Sequence, residues 1–269
     1  MISLFIFEVS SMKIKKAIKE VDKKTLIVYF VLRVLVIFSM IRALLNGNFE
    51  NAMICVLALI LFLVPSFLEK TLKIDFPPTL EILILLFIFS AEILGEIENF
   101  YGKYAMFDDV LHTINGFACA SIGFSLVNIL NENTSSLKLS PFFVVLVGFC
   151  FSMTIGVCWE FLEYSVDKYL GLDMQKDSYI EEIKTVELDP NQSNTVINFR
   201  NIDYTILYDK NGNEIVKIDK YLDIGLNDTM IDLKVNFIGA FIFSVFGYLY
   251  IKNKDKYKLA ESFITKKVK

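Results

Sequence analysis

The chain alternates long apolar runs with short polar breaks. Six runs stand out, at about 25–45, 52–68, 79–95, 109–130, 141–163 and 233–251. A bilayer core takes roughly 20 residues of α-helix, with a range of about 17–25. Each run therefore predicts a membrane-spanning helix, the second and third at the short end. The first is too long for the apolar region of a cleaved signal peptide, and no small-residue cleavage site follows it. Pro65 and the pair Pro77–Pro78 punctuate span ends. Between the fifth and sixth runs lies a polar stretch, 164–228. In it "YTILYDKNGNEIVKI" (204–218) places two β-type segments around Asn211-Gly212, a strong hairpin signal, and "NTVINF" reads as a further short strand.

The expected fold is an all-α polytopic membrane helix bundle of about six transmembrane helices with a small extracytoplasmic β-containing insert. Its parts are a basic N-terminal segment (1–24), helices one to five (25–163), the insert (164–228), helix six (229–251) and a basic tail (252–269). Met12, just before "KIKKAIKE", reads as a more ordinary start than Met1.

Composition agrees. The 269 residues are 54% hydrophobic with 25 phenylalanines, and mean hydropathy is +0.50. One soluble core of this size does not bury so much apolar surface. The net charge of −4 gives no general nucleic-acid footprint. Cys55, Cys119, Cys150 and Cys158 all fall in apolar runs without metal-ligand spacing, and read as buried thiols.

Charge also sets an orientation. Six lysines lie within 1–24, Lys70 and Lys73 between runs two and three, Lys138 between runs four and five, and seven lysines from 252 onward. With six spans these segments share one side, which the positive-inside rule makes cytoplasmic. Segment 164–228 holds 7 basic and 13 acidic residues and is expected outside. Its charge of −6 opposes docking on anionic lipid, and a protein partner is a candidate ligand for it.

In this topology polar residues gather at the outer ends of the spans. Span four opens with "FDDVLHTINGF", giving Asp108, Asp109 and the only histidine, His112. Span five closes with "CWEFLEYSVD", placing Glu160, Glu163 and Asp167 on one helical face. Span six opens with Asp228, Asp232 and Asn236 at every fourth position, followed by Gly239. Glu92 and Glu96 lie near the end of span three, and Arg42 near the end of span one. Ionisable groups within membrane helices face the bundle interior or a wet cavity. Gathered carboxylates must protonate, stay hydrated or bind a cation. Asp108, His112, Glu160 and Asp232 form a candidate set for a divalent metal. His112, Glu160 and Asp232 are the candidate catalytic groups. The same cluster also reads as a structural hydrogen-bonded lock, or as a proton, cation or substrate path. Arg33, Glu81, Trp159 and Gly247 are explained by helix pairing, snorkelling, interfacial anchoring and close packing.

The order "DDVLH…G", "WEFLEY", "DTMIDLKVNFIGA" resembles the YjdF-like family of uncharacterised bacterial inner-membrane proteins. It also resembles the wider VanZ-like pattern, which Asp108, His112, Glu160, Asp232, Asn236 and Gly239 match position by position across roughly spans three to six. Asp109 stands where VanZ-like proteins usually carry Lys, and Glu163 where they usually carry Gln, so this site is more acidic. Segment 164–228 is longer than the usual YjdF-like connection. The resemblance implies a multi-pass protein of the bacterial cytoplasmic membrane and brings no established reaction. Three functional readings follow: a membrane protein whose outer acidic/His cluster handles an envelope headgroup, a precursor or a divalent cation; a non-catalytic scaffold; and a proton- or cation-coupled transporter.

Overall fold

The computed structural model describes residues 22–134 and 138–268. The basic N-terminal segment, apart from residues 22–24, and the start at Met12 lie outside the described residues. The elements follow in chain order as α1 (Lys23–Leu45), α2 (Phe49–Leu61), α3 (Val64–Leu72), β1 (Ile74–Asp75), α4 (Pro78–Phe89), a π-helix (Ser90–Ile97), α5 (Phe100–Lys103), α6 (Phe107–Asn133) and α7 (Pro141–Leu170). After α7 come β2 (Ser178–Ile180), β3 (Ile183–Thr185), β4 (Ile197–Phe199), β5 (Tyr204–Tyr208), β6 (Glu214–Asp219), β7 (Tyr221–Asp223), α8 (Leu226–Lys252), α9 (Lys258–Glu261) and β8 (Lys266–Lys267).

Local chemistry sets several of these boundaries. The Asp22 carboxylate accepts from Lys24 N at 2.9 Å and Thr25 N at 3.2 Å, capping α1. Asn48 caps α2 by accepting from Asn51 N at 3.0 Å. Pro78 opens α4 at a position where a helix needs no N–H.

Five helical stretches among the described residues are long and apolar enough to cross a membrane: Lys23–Leu45, Phe49–Leu72, Phe107–Asn133, Pro141–Leu170 and Leu226–Lys252. The third run of the sequence is not among them. Its α-helical part, α4, has twelve residues, and the next eight wind as a π-helix carrying Glu92 and Glu96. Gly95 lets Tyr101 close on that turn, since a Cβ at Gly95 would stand 2.3 Å from the Tyr101 ring.

The chain divides into two compact units. One runs to Gly156 and resumes at Val235; the other is Val157–Lys234. Among the described residues the first unit has three apolar cores. Leu32, Val36, Cys55, Ala58, Phe62 and Leu85 join α1, α2 and α4. Ile74, Phe76, Leu80 and Ala118 join the β1 turn and α4 to α6. Ala120, Phe124, Val144, Ala240 and Phe243 join α6, α7 and α8. Arg33, placed mid-helix, stacks over the Tyr29 ring at 4.2 Å and donates to its hydroxyl. The tail expected from residue 252 onward contains α9 and β8, and β8 pairs antiparallel with β1.

The second unit combines the end of α7 and the start of α8 with three two-stranded antiparallel sheets, β2–β7, β3–β4 and β5–β6. The β5–β6 hairpin turns at Gly212, whose φ of +83° suits glycine. There the Asp209 carboxylate accepts from Asn211 N and Asn213 N, each at 2.8 Å. Asp189 organises the 189–195 loop, accepting from Asn191 N at 3.0 Å, from Ser193 N and Oγ at 2.8 Å each, and from Thr195 N at 3.2 Å. These donors, Ser193 foremost, hold its carboxyl at about 2, below the usual 3.8. A depressed carboxyl stabilises the fold above its ordinary value and loses that contribution as pH falls through the folded one. The amide resonances of Ser193 and Thr195 are therefore expected to titrate with a midpoint near 2. A midpoint at 3.8 would show that the loop does not hold the carboxylate.

Candidate functional site

Helix α7 keeps one face inward along Ser152, Gly156, Glu160 and Glu163, all buried, while Trp159 between them is exposed. Helix α8 does the same along Asp232, Asn236, Gly239 and Phe243. In the first unit, α6, α7 and α8 meet around Asn236, which is 1% exposed. A Cβ at Gly116 would stand 2.1 Å from Asn236 O, and one at Gly156 2.8 Å from Asn236 Nδ2. The Asn236 amide accepts from Asn115 Nδ2 at 3.2 Å and donates to Met153 Sδ at 3.6 Å. Ser152 Oγ donates to Gly116 O at 2.8 Å. Thr113 Oγ1 donates to Asp109 O at 2.7 Å, so the Asp109 backbone helps hold this end of α6. His112 is buried, and its Nε2 lies 3.5 Å from Asp108 Oδ1 one turn earlier.

In the second unit, Glu160 and Glu163 on α7 meet Asp232 on α8. All three are buried, at 4%, 7% and 2% exposure, and one oxygen from each lies within 4.8 Å of the other two. Trp159 Nε1 donates to Glu163 Oε1 at 2.7 Å, so the tryptophan read as an interfacial anchor also orients a carboxylate of the cluster. Carboxylate oxygens are hard donors, and ligation at 2.0–2.6 Å suits Mg²⁺, Ca²⁺ or Mn²⁺ better than a thiophilic metal.

Other acids of the sequence reading have different work. Asp228 Oδ2 accepts from Lys176 N at 2.7 Å, and Asp167 accepts from Met174 N at 2.6 Å and Gln175 N at 2.8 Å. Both fasten the segment after α7 to a helix end. Arg42 forms an ion pair with Glu98, just past the π-helix. Glu92 is half-buried on the π-helix and Glu96 is exposed. Asn115, Ser152 and Met153 were not singled out by the sequence. The signal for Asn115 was present, since it lies three residues after His112 on the same helical face.

The long apolar helices with an acidic cluster on two of them define a multi-helix membrane protein. The chain belongs to the family described as predicted membrane proteins, DUF2238, whose model matches residues 25–253. That membership agrees with the YjdF-like resemblance. Neither a curated protein nor a solved structure matches the chain.

Proposed function

We propose that Glu160, Glu163 and Asp232 bind a divalent cation at the outer face of a bacterial cytoplasmic membrane protein with six spans and cytoplasmic termini. The observation that carries this reading is the approach of three buried carboxylates to within 4.8 Å. Carboxylate oxygens at this separation can all reach one ion at the 2.0–2.6 Å at which hard divalent cations are ligated. Glu163 supplies a further acid at a position where the VanZ-like pattern usually has Gln. The α4 and π-helix stretch, Pro78–Ile97, serves as the sixth span, and the lysine distribution supports the orientation. An anionic headgroup or envelope precursor is the substrate class a cation there would recruit.

The test is the thermal stability of purified protein in detergent, stripped with chelator and then supplied with Mg²⁺, Ca²⁺ or Mn²⁺. A saturable rise in melting temperature is expected. No rise with any ion defeats the reading. A second reading, a structural lock, draws on the Trp159–Glu163 hydrogen bond. It predicts loss of folding on Glu163→Ala with no response to metal in the parent protein.

A further inference from the structure

Beyond Lys252 the chain doubles back and docks on the first unit. Ala260, Ile264 and Thr265 are buried there. The Phe263 ring meets Phe117 edge-to-face at 5.0 Å, and Phe117 meets Phe243 the same way at 5.2 Å. Ser121 Oγ on α6 donates to the Phe263 carbonyl, and Thr265 N donates to Ser125 Oγ at 2.9 Å. Ser125 Oγ in turn donates to Ser121 O at 2.7 Å, so the hydroxyl that receives the segment is held in place by its own helix. Next, Lys267 pairs with Ile74 and Lys266 with Asp75, and Val268 N donates to Lys73 O at 3.1 Å. One short segment therefore grips both α6 and the turn between α3 and α4.

Nothing in that segment is stable alone. Its helix, α9, is a single turn of four residues and its strand has two. Isolated helices of that length and isolated two-stranded ribbons are marginal or worse in water. The order of the segment comes from docking, so docking and ordering form one equilibrium. The exposed ion pairs at its edge, Lys266–Glu261 at 2.8 Å and Lys254–Glu132 at 2.7 Å, add little to that equilibrium. The buried bonds to Ser121 and Ser125 and the Phe263 ring dominate it.

We propose that residues 258–268 form a detachable strap. Docked, it ties the 73–76 turn to α6; released, it frees that turn and uncovers Phe117, Phe243, Ser121 and Ser125. The fold thus has a two-state device that closes on Ser121 and Ser125 of α6 and on the 73–76 turn.

Hydrogen exchange on the full-length protein in nanodiscs tests this. Amides of the strap and of the 73–76 turn are expected to exchange together, as one cooperative opening. Ser125→Ala leaves the buried Thr265 N–H without its acceptor and should speed exchange in both segments by about tenfold or more. The rest of α6 should stay protected. A turn that exchanges independently of the strap, or a variant that leaves both rates unchanged, overturns the proposal. If Ser125→Ala does not fold, a tether decides instead: Ile74→Cys with Lys267→Cys, oxidised in a background with the four native cysteines replaced. The tether should slow exchange in both segments relative to its reduced form. Equal rates in the two forms overturn the strap.

Discussion

Gly239→Ala should lower the melting temperature of the detergent-solubilised protein by about 10 °C. A Cβ at Gly239 would stand 1.9 Å from Thr113 O and 2.9 Å from Phe117 N, both backbone atoms of α6. No rotamer change can relieve that contact. Ordinary C···O contacts lie at about 3.3–3.6 Å, so α8 would have to retreat by more than 1 Å. The retreat would open the ring contacts of Phe243 with Phe117 at 5.2 Å and Phe124 at 5.6 Å. It would also move Asn236, whose carbonyl lies close against Gly116. Overpacking costs about 3 kcal/mol at the upper end of its usual range, and each kcal/mol shifts melting by roughly 2–4 °C for a chain of this size. Gly116→Ala should behave alike, because the crowding is reciprocal: each helix offers a glycine to the other's backbone. The control is Ile238→Ala, at a position 50% exposed on α8, which should change little. If Gly239→Ala and Ile238→Ala melt together, the close α6–α8 approach is wrong.

That glycine contact shows what sequence patterns disclose and what they leave out. A long apolar run commits a segment to a membrane helix whatever its neighbours do, because unpaired backbone groups are too costly in hydrocarbon. Five such stretches were legible for this reason. Gly239 and Gly247 could be read as sites of close packing, yet nothing in their spacing names Thr113 O as the neighbour of one and Phe124 as that of the other. The π-helix was not legible either. Run 79–95 is apolar at most positions, so its hydropathy carries no trace of the wider turn, which the fit of Gly95 against Tyr101 accompanies. The acids at the ends of α7 and α8 were visible as helix-spaced stripes. Their division of labour was not: Asp228 looks like Asp232 in the sequence, but it accepts from Lys176 N in a loop 52 residues earlier. The strap is the extreme case. "KLAESFITKK" is lysine-rich and too short for a periodic signal, and its contacts with Ser121 and Ser125 span 142 and 140 residues.

Glu160→Gln should abolish the stabilisation by divalent metal and raise the stability of the metal-free protein. The two effects have opposite signs and share one origin. Without a cation, Glu160, Glu163 and Asp232 place three carboxyl groups within 4.8 Å in a buried setting, where like charges disfavour one another strongly. Replacing one by a neutral amide of the same shape removes repulsion and leaves room for the hydrogen bonds of the site. With a cation, the same replacement removes a charged ligand. A ligand that binds only the folded state stabilises it by about 2.7 kcal/mol at a hundredfold excess over its dissociation constant. For a chain of this size that is a rise in melting temperature of roughly 5–10 °C in the parent protein, and close to none in Glu160→Gln. Asp232→Asn should repeat the pattern. Asp228→Asn should not, because its carboxylate accepts from Lys176 N: it should lose some stability and keep the full metal response. If Glu160→Gln and Asp228→Asn respond to metal equally, the cation does not sit among Glu160, Glu163 and Asp232. If Glu160→Gln is less stable than the parent without metal and the parent ignores metal, the three carboxyl groups form a lock between α7 and α8.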